Sequence, residues 1–279
     1  MSPWRLWLAV TLTMVAFAAN SLLCRIALTQ SSIDAASFTL LRLISGALML
    51  SLLVLMRRRP LAGHGSWQSA LALFGYAAAF SFAYLTLATG SGALLLFGAV
   101  QATMIGVGLY RGERLGMGQW LGLMLALGGV VVLLLPGITA PPLASALLML
   151  LAGACWGCYS LWGRAATDPL AASAGNFLKA LLPALLLALW LMPSLRVDAL
   201  GVVCAIASGA LASGLGYALW YRVLPALKAT VAATVQLSVP LLAALGGLLL
   251  GEGLSWRLVL AACAILGGIG LVIRARASA

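Results

Sequence analysis

The chain has 279 residues, 64% of them apolar and only 8% charged. A soluble fold of that length cannot hide so much apolar surface, so the composition excludes a soluble enzyme or binding module and points to a membrane protein. The net charge of +11 does not indicate a nucleic-acid binder, because the Lys and Arg residues lie between apolar runs and not on one polar face.

Apolar runs of about 20 residues are long enough to cross a hydrocarbon core of about 30 Å as helix. They predict ten helices, at about 4–28, 34–56, 67–89, 91–110, 117–135, 142–163, 170–192, 199–221, 229–250 and 256–273. Turn signals separate them, among them Arg57-Arg58-Arg59-Pro60, Gly90-Ser91-Gly92, Pro136-Gly137, Asp168-Pro169 and Pro193-Ser194. The third and fourth runs are nearly continuous. The first resembles a signal peptide, with Arg5 ahead of an apolar stretch and Ala16-Phe17-Ala18. However, Ser21-Leu22 and Arg25 recur 139 residues later as Ser160-Leu161 and Arg164, so the segment is expected to stay as a span. No strand-like alternation of a membrane barrel is present.

The same offset of 139 relates two longer stretches. Gly112-Glu113-Arg114-Leu115 precedes a run holding Gly128-Gly129, and Gly251-Glu252-Gly253-Leu254 precedes one holding Gly267-Gly268. A fixed offset predicts a duplicated half, 1–138 and 139–279. Eleven Lys and Arg residues fall on the N-terminal side and three on the other, which puts both termini in the cytoplasm. With five spans per copy the second copy enters the membrane upside down, as an inverted repeat.

Two five-span halves, each with G-E-x-L after its fourth span and a Gly-Gly pair in its fifth, resemble the drug/metabolite transporter superfamily, EamA branch. Arg42 in the second span, Pro240 in the ninth and the aromatic span ends Phe82-Ala83-Tyr84 and Trp220-Tyr221-Arg222 add to the resemblance. Within the branch, the overall similarity is to bacterial aromatic amino acid exporters. The resemblance implies an all-α membrane transporter of a bacterial inner membrane, with a central cavity shared between the halves. Gln101 departs from the pattern, because Pro240 stands at the equivalent place in the second half.

The five acids, Asp34, Glu113, Asp168, Asp198 and Glu252, lie at span ends or in loops. An intramembrane carboxylate relay is therefore absent, and a neutral or zwitterionic substrate moving without a carboxylate proton relay is expected. His64, the single histidine, lies in a loop, so neither a Ser-His pair nor a two-His metal site exists at membrane depth. No metal, cofactor or enzymatic activity is expected, and no phosphate loop is present for ATP. The five cysteines, including Cys155 and Cys158 at C-x-x-C spacing, read as small apolar residues of the spans. No nucleic-acid partner is expected, and the oligomeric state is expected to be monomer or weak homodimer.

The candidate substrate-binding set is Asn20, Tyr84, Gln101, Trp156, Tyr159, Tyr217, Trp220 and Gln236. Aromatic rings would wall an amino acid side chain and the amides would meet its polar ends. The competing reading makes the rings interfacial anchors and the amides helix-to-helix bonds. Arg42 and Lys179, each roughly eight residues into a span, either meet a substrate carboxylate or snorkel to the headgroups. Gly75, Gly214 (taken as symmetry mates) and Pro240 are the candidate hinges. The function expected is a secondary carrier exporting neutral or aromatic amino acids. An uptake permease for another metabolite and a non-transporting assembly partner are the alternatives.

Overall fold

The computed structural model describes residues 2–60, 63–112, 114–135, 140–163, 166–227 and 235–277. Among the described residues every regular element is helical: α1 (Pro3–Gln30), α2 (Ala35–Met56), α3 (Trp67–Ala83), α4 (Thr89–Tyr110), α5 (Met117–Leu134), α6 (Leu143–Gly163), α7 (Pro169–Trp190), α8 (Ala199–Ala226), α9 (Ser238–Leu249) and α10 (Trp256–Ala277). Eight helices are long and apolar enough to cross a membrane; α3, with 17 residues, and α9, with 12, are shorter. Glu113 and Arg164, two of the repeated residues, lie outside the described set.

Side chains that cap exposed N–H groups set several helix starts. The Asp34 carboxylate accepts from the N–H groups of Ala36 and Ser37, and Asp168 accepts in the same way from Leu170 and Ala171. Asp34 also accepts from Arg196 N at 2.7 Å, tying the turn before α2 to the turn before α8. Burial pushes the Asp34 carboxyl up, but the hydrogen bonds from Ser37, Arg196 and Ala36 outweigh it and hold the group below its ordinary 3.8.

The glycine of the repeated G-E motif has a conformational cause. Gly112 and Gly251 follow the ends of α4 and α9 with φ of 88° and 81°, a left-handed geometry that other residues adopt only at a cost. Gly251 N–H bonds to Leu248 O and Glu252 N–H reaches Gly247 O, which closes the end of α9.

Helix α5 packs mainly against α10, and α1, α2, α3, α7 and α8 interlock at the centre. In lipid this packing relies on close contact rather than on escape from water, so small residues mark the crossings. The Gly-Gly pairs divide their labour: Gly129 and Gly268 sit against the facing helix, whereas Gly128 and Gly267 have open space where a Cβ would go. A side chain at Gly268 would meet Gly122 O and the Ala126 backbone. Gly268→Leu is therefore expected to cost about 1–3 kcal/mol or more through overpacking, with Gly267→Leu close to neutral. Thermal unfolding of the two variants in detergent checks this, and equal losses would refute it.

Three helices depart from the sequence reading. The third helix stops at Ala83 instead of continuing to 89, and residues 84–88 form a turn. The eighth is continuous but changes character: Ala207–Leu215 is π-helical, with i→i+5 bonding. Further on, residues 235–236 are helical, Leu237 is a turn and α9 starts at Ser238. Pro240 lacks the N–H that would bond to Gln236 O, which accounts for a helix interruption here.

Candidate functional site

An aromatic cluster occupies the middle of the molecule. Trp156 of α6 is its hub, with ring centroids 4.9 Å from Tyr76, 5.2 Å from Tyr217 and 5.3 Å from Tyr159. Phe17 of α1 meets Tyr217 and Trp220 edge-on at 5.9 and 6.3 Å. Rings at these separations attract one another as well as filling space.

Polar groups thread the cluster. Asn20 Nδ2 donates to Tyr76 Oη at 3.1 Å, and Ser208 Oγ of the π-helical segment donates to Asn20 Oδ1 at 2.6 Å. Arg42 Nη2 donates to the same Tyr76 oxygen at 3.0 Å. The Arg42 guanidinium carbon lies 5.1 and 5.0 Å from the ring centres of Tyr76 and Phe80, so two ring faces supply cation–π attraction. Arg42 therefore points inward, and its exposure is 2%. Lys179 resolves differently: its Nζ donates to the backbone oxygens of His64 and Gly65, pinning the loop before α3.

A cavity opens beside this network. Its walls include Phe17, Asn20, Tyr76, Trp156, Tyr217 and Gln236. The helices that contribute come from both halves of the chain.

Of the sequence candidates, Asn20, Trp156, Tyr217 and Gln236 line this cavity. Tyr159 is buried behind Trp156, with its hydroxyl on Ser173 Oγ at 3.3 Å. Trp220 stands at the edge, touching Phe17. Tyr84 and Gln101 are elsewhere. Tyr84 follows the end of α3, its hydroxyl on Thr89 O and its ring against Gly92. Gln101 lines a separate cleft between α4, α5 and α10. Gly75 rests against Cys155 and Gly214 against Met49, whereas Gly216 rests against Ala16. Cys155 and Ala16 are 139 apart, so the contact made by Gly75 is matched by that of Gly216 and not by that of Gly214.

Tyr76, Phe80 and Ser208 were missed as cavity or network residues. A signal existed for the first: Gly75-Tyr76-Ala77 recurs as Gly216-Tyr217-Ala218, 141 residues on. A search at 139 alone passes over it.

A second polar cluster closes one end of the same helices. Glu252 accepts from Thr89 N at 2.7 Å, Thr89 Oγ1 at 3.1 Å and Arg25 Nε at 3.1 Å. Arg25 Nη1 donates to the carbonyl oxygens of Tyr84 and Leu85. One ion pair thus joins α1, the end of α3, the start of α4 and the turn after α9.

Residues 143–274 match the EamA-like transporter family. The uncharacterized protein PA1977 of Pseudomonas aeruginosa is 60% identical over 274 residues, spanning 98% of this chain and 96% of that protein. A protein of known crystal structure, 21% identical, superposes with a TM-score of 0.65 over 95% of this chain and 99% of its own, a likeness of fold. Residues 143–274 are therefore an EamA-like transporter domain, and the chain is a multi-pass membrane protein.

Proposed function

We propose that the protein is a secondary carrier that exports small metabolites, neutral or aromatic amino acids above all, across a bacterial inner membrane. The observation that carries this reading is the cavity itself, with aromatic walls, amides at two points, and helices from both halves around it. A free amino acid matches that mixture of ring faces and uncharged donors. The family is one of transporters, which supports a small-molecule cargo.

The proposed architecture is ten spans in two inverted halves, 1–138 and 139–279, with both termini cytoplasmic. Several contacts support it. The turn before α2 meets the turn before α8, the turn after α3 meets the one after α9, and Arg257 at the start of α10 bonds to Leu135 at the end of α5. Helices that alternate in direction bring those turns to one face. The packing of α2 on α7, of α5 on α10 and of α4 on α9 also pairs corresponding helices.

Transport proceeds by alternating access around the central cavity. Gly75, Gly214 and Pro240 are the proposed flexing points, and the helix interruption at Leu237 supports the last of these. The described acids have other tasks than a proton relay: Asp34, Asp168 and Asp198 cap helices, and Glu252 holds Arg25. The substrate's own gradient then drives the movement.

Counterflow in liposomes tests the reading. Purified protein is expected to exchange labelled phenylalanine or another neutral amino acid saturably, with or without a pH gradient. Exchange confined to sugars or nucleosides would favour a permease of different cargo, and flux strictly tied to protons would overturn the mechanism.

A further inference from the structure

The five acids leave Arg42 in an unusual position. The described acids are all engaged away from it: Asp34, Asp168 and Asp198 at helix starts, Glu252 with Arg25. Its guanidinium is 2% exposed, and Nη1 is buried with no hydrogen-bond partner among the described residues. What surrounds it is uncharged: the Tyr76 hydroxyl and two ring faces. A buried cation that keeps its charge needs an anion nearby or a full set of acceptors, and here it has one acceptor and an idle N–H group.

The Tyr76 hydroxyl connects this charge to the cavity. Its oxygen takes two hydrogen bonds, from Asn20 Nδ2 and Arg42 Nη2, which fills both lone pairs. The phenolic proton is thereby left to be given to a third group. Tyr76, Phe80 and Asn20 all line the cavity wall, and the rings of Tyr76 and Phe80 flank the guanidinium. The Tyr76 hydroxyl stands on the wall of an otherwise apolar, aromatic chamber, and the guanidinium of Arg42, with its idle Nη1, lies directly behind it and is not itself part of that wall. A guanidinium and a phenol side by side suit a planar acceptor with two oxygens.

We infer that Arg42 and Tyr76 form an anion subsite of the central cavity, which takes the carboxylate of the transported molecule. This rests on the carrier reading above and narrows it: the cargo carries a carboxylate beside an apolar or aromatic body, and molecules lacking the carboxylate are rejected. A single cation fits a singly charged carboxylate better than a multiply charged phosphate ester. Asn20 acts as a positioning residue, holding the Tyr76 oxygen from one side while Ser208 holds Asn20. The amino group of the substrate is left to the ring faces of Trp156 and Tyr217, which accept a cation without a carboxylate.

Four probes on the purified protein, read by quenching of tryptophan fluorescence and by competition for counterflow, separate the possibilities: phenylalanine, phenylalaninamide, 3-phenylpropionate and phenethylamine. The wild type is expected to bind the two carboxylates about tenfold or more tighter than the amide and the amine. Arg42→Met should erase that difference, Arg42→Lys should keep part of it, and Tyr76→Phe should weaken the carboxylates more than the amide. Equal binding of phenylalanine and its amide by the wild type would overturn the subsite while leaving the carrier reading intact. So would a carboxylate preference that survives Arg42→Met. The wild-type comparison needs no variant to fold. If none of the four probes binds or exchanges, the carrier reading fails with the subsite.

Discussion

Trp156→Ala is expected to abolish measurable exchange, lowering counterflow by at least about tenfold, while the protein still inserts and purifies. Three rings rest on Trp156, those of Tyr76, Tyr159 and Tyr217. Each such pair is worth about 0.5–1.5 kcal/mol beyond the area it buries. Removing the indole leaves Tyr76 and Tyr217 without the surface that sets their positions in the cavity wall. Tyr159→Phe provides the contrast. Tyr159 lies behind Trp156 and spends its hydroxyl on Ser173, so this change should lower stability slightly and leave exchange near the wild-type rate. If Tyr159→Phe lost as much flux as Trp156→Ala, the indole would be only one packing residue among others.

The second large effect is expected at Glu252. Its carboxylate holds the first N–H of α4, the Thr89 hydroxyl and Arg25. Its side chain and that of Arg25 are 16% and 18% exposed, so the pair is mostly withdrawn from solvent. Glu252→Ala leaves the guanidinium without an anion and the helix start without an acceptor, a loss of about 3 kcal/mol. Arg25→Met should cost less, because Thr89 keeps its carboxylate partner. A double-mutant cycle on thermal unfolding separates the two roles. Coupling near zero between the positions would mean that Glu252 works as a helix cap alone.

Much of the helical framework was legible in the sequence because membrane spans are set by length and apolarity, and because Asp34 and Asp168 mark helix starts. The end of α3 was not. Residues 84–88 are as apolar as the helix before them, and composition alone carries the run through. The turn is accompanied by partners far away in sequence: Arg25 takes the carbonyls of Tyr84 and Leu85, and Glu252 takes the Thr89 N–H. The π-helical stretch of α8 was equally silent, since its residues, Ala, Ser, Gly and Leu, are ordinary for a membrane helix.

Asn20 and Trp156, polar or aromatic residues within apolar runs, could be picked from the sequence, and both lie on the cavity wall. The 139 offset does not reach Tyr76 and Gly216, because the spacing between similar stretches varies along the chain. The caps Asp34 and Asp168 are 134 apart, the G-E pairs 139 and the Gly-Tyr-Ala triplets 141. Tyr84 and Gln101 have chemistry that suits a substrate site, but the first sits beside the turn after α3 and the second faces α5 and α10.

The placement of every described acid at a helix end, with a lone guanidinium beside the cavity, has an electrical consequence. A charge crossing the full bilayer exchanges about 2.3 kcal/mol with each 100 mV of potential. A zwitterion carried with no accompanying ion moves no net charge, so voltage should neither speed nor oppose it. A simple organic acid on the same route would carry its negative charge across and generate a current. The membrane potential would then act on these two kinds of cargo differently, although both dock the same carboxylate.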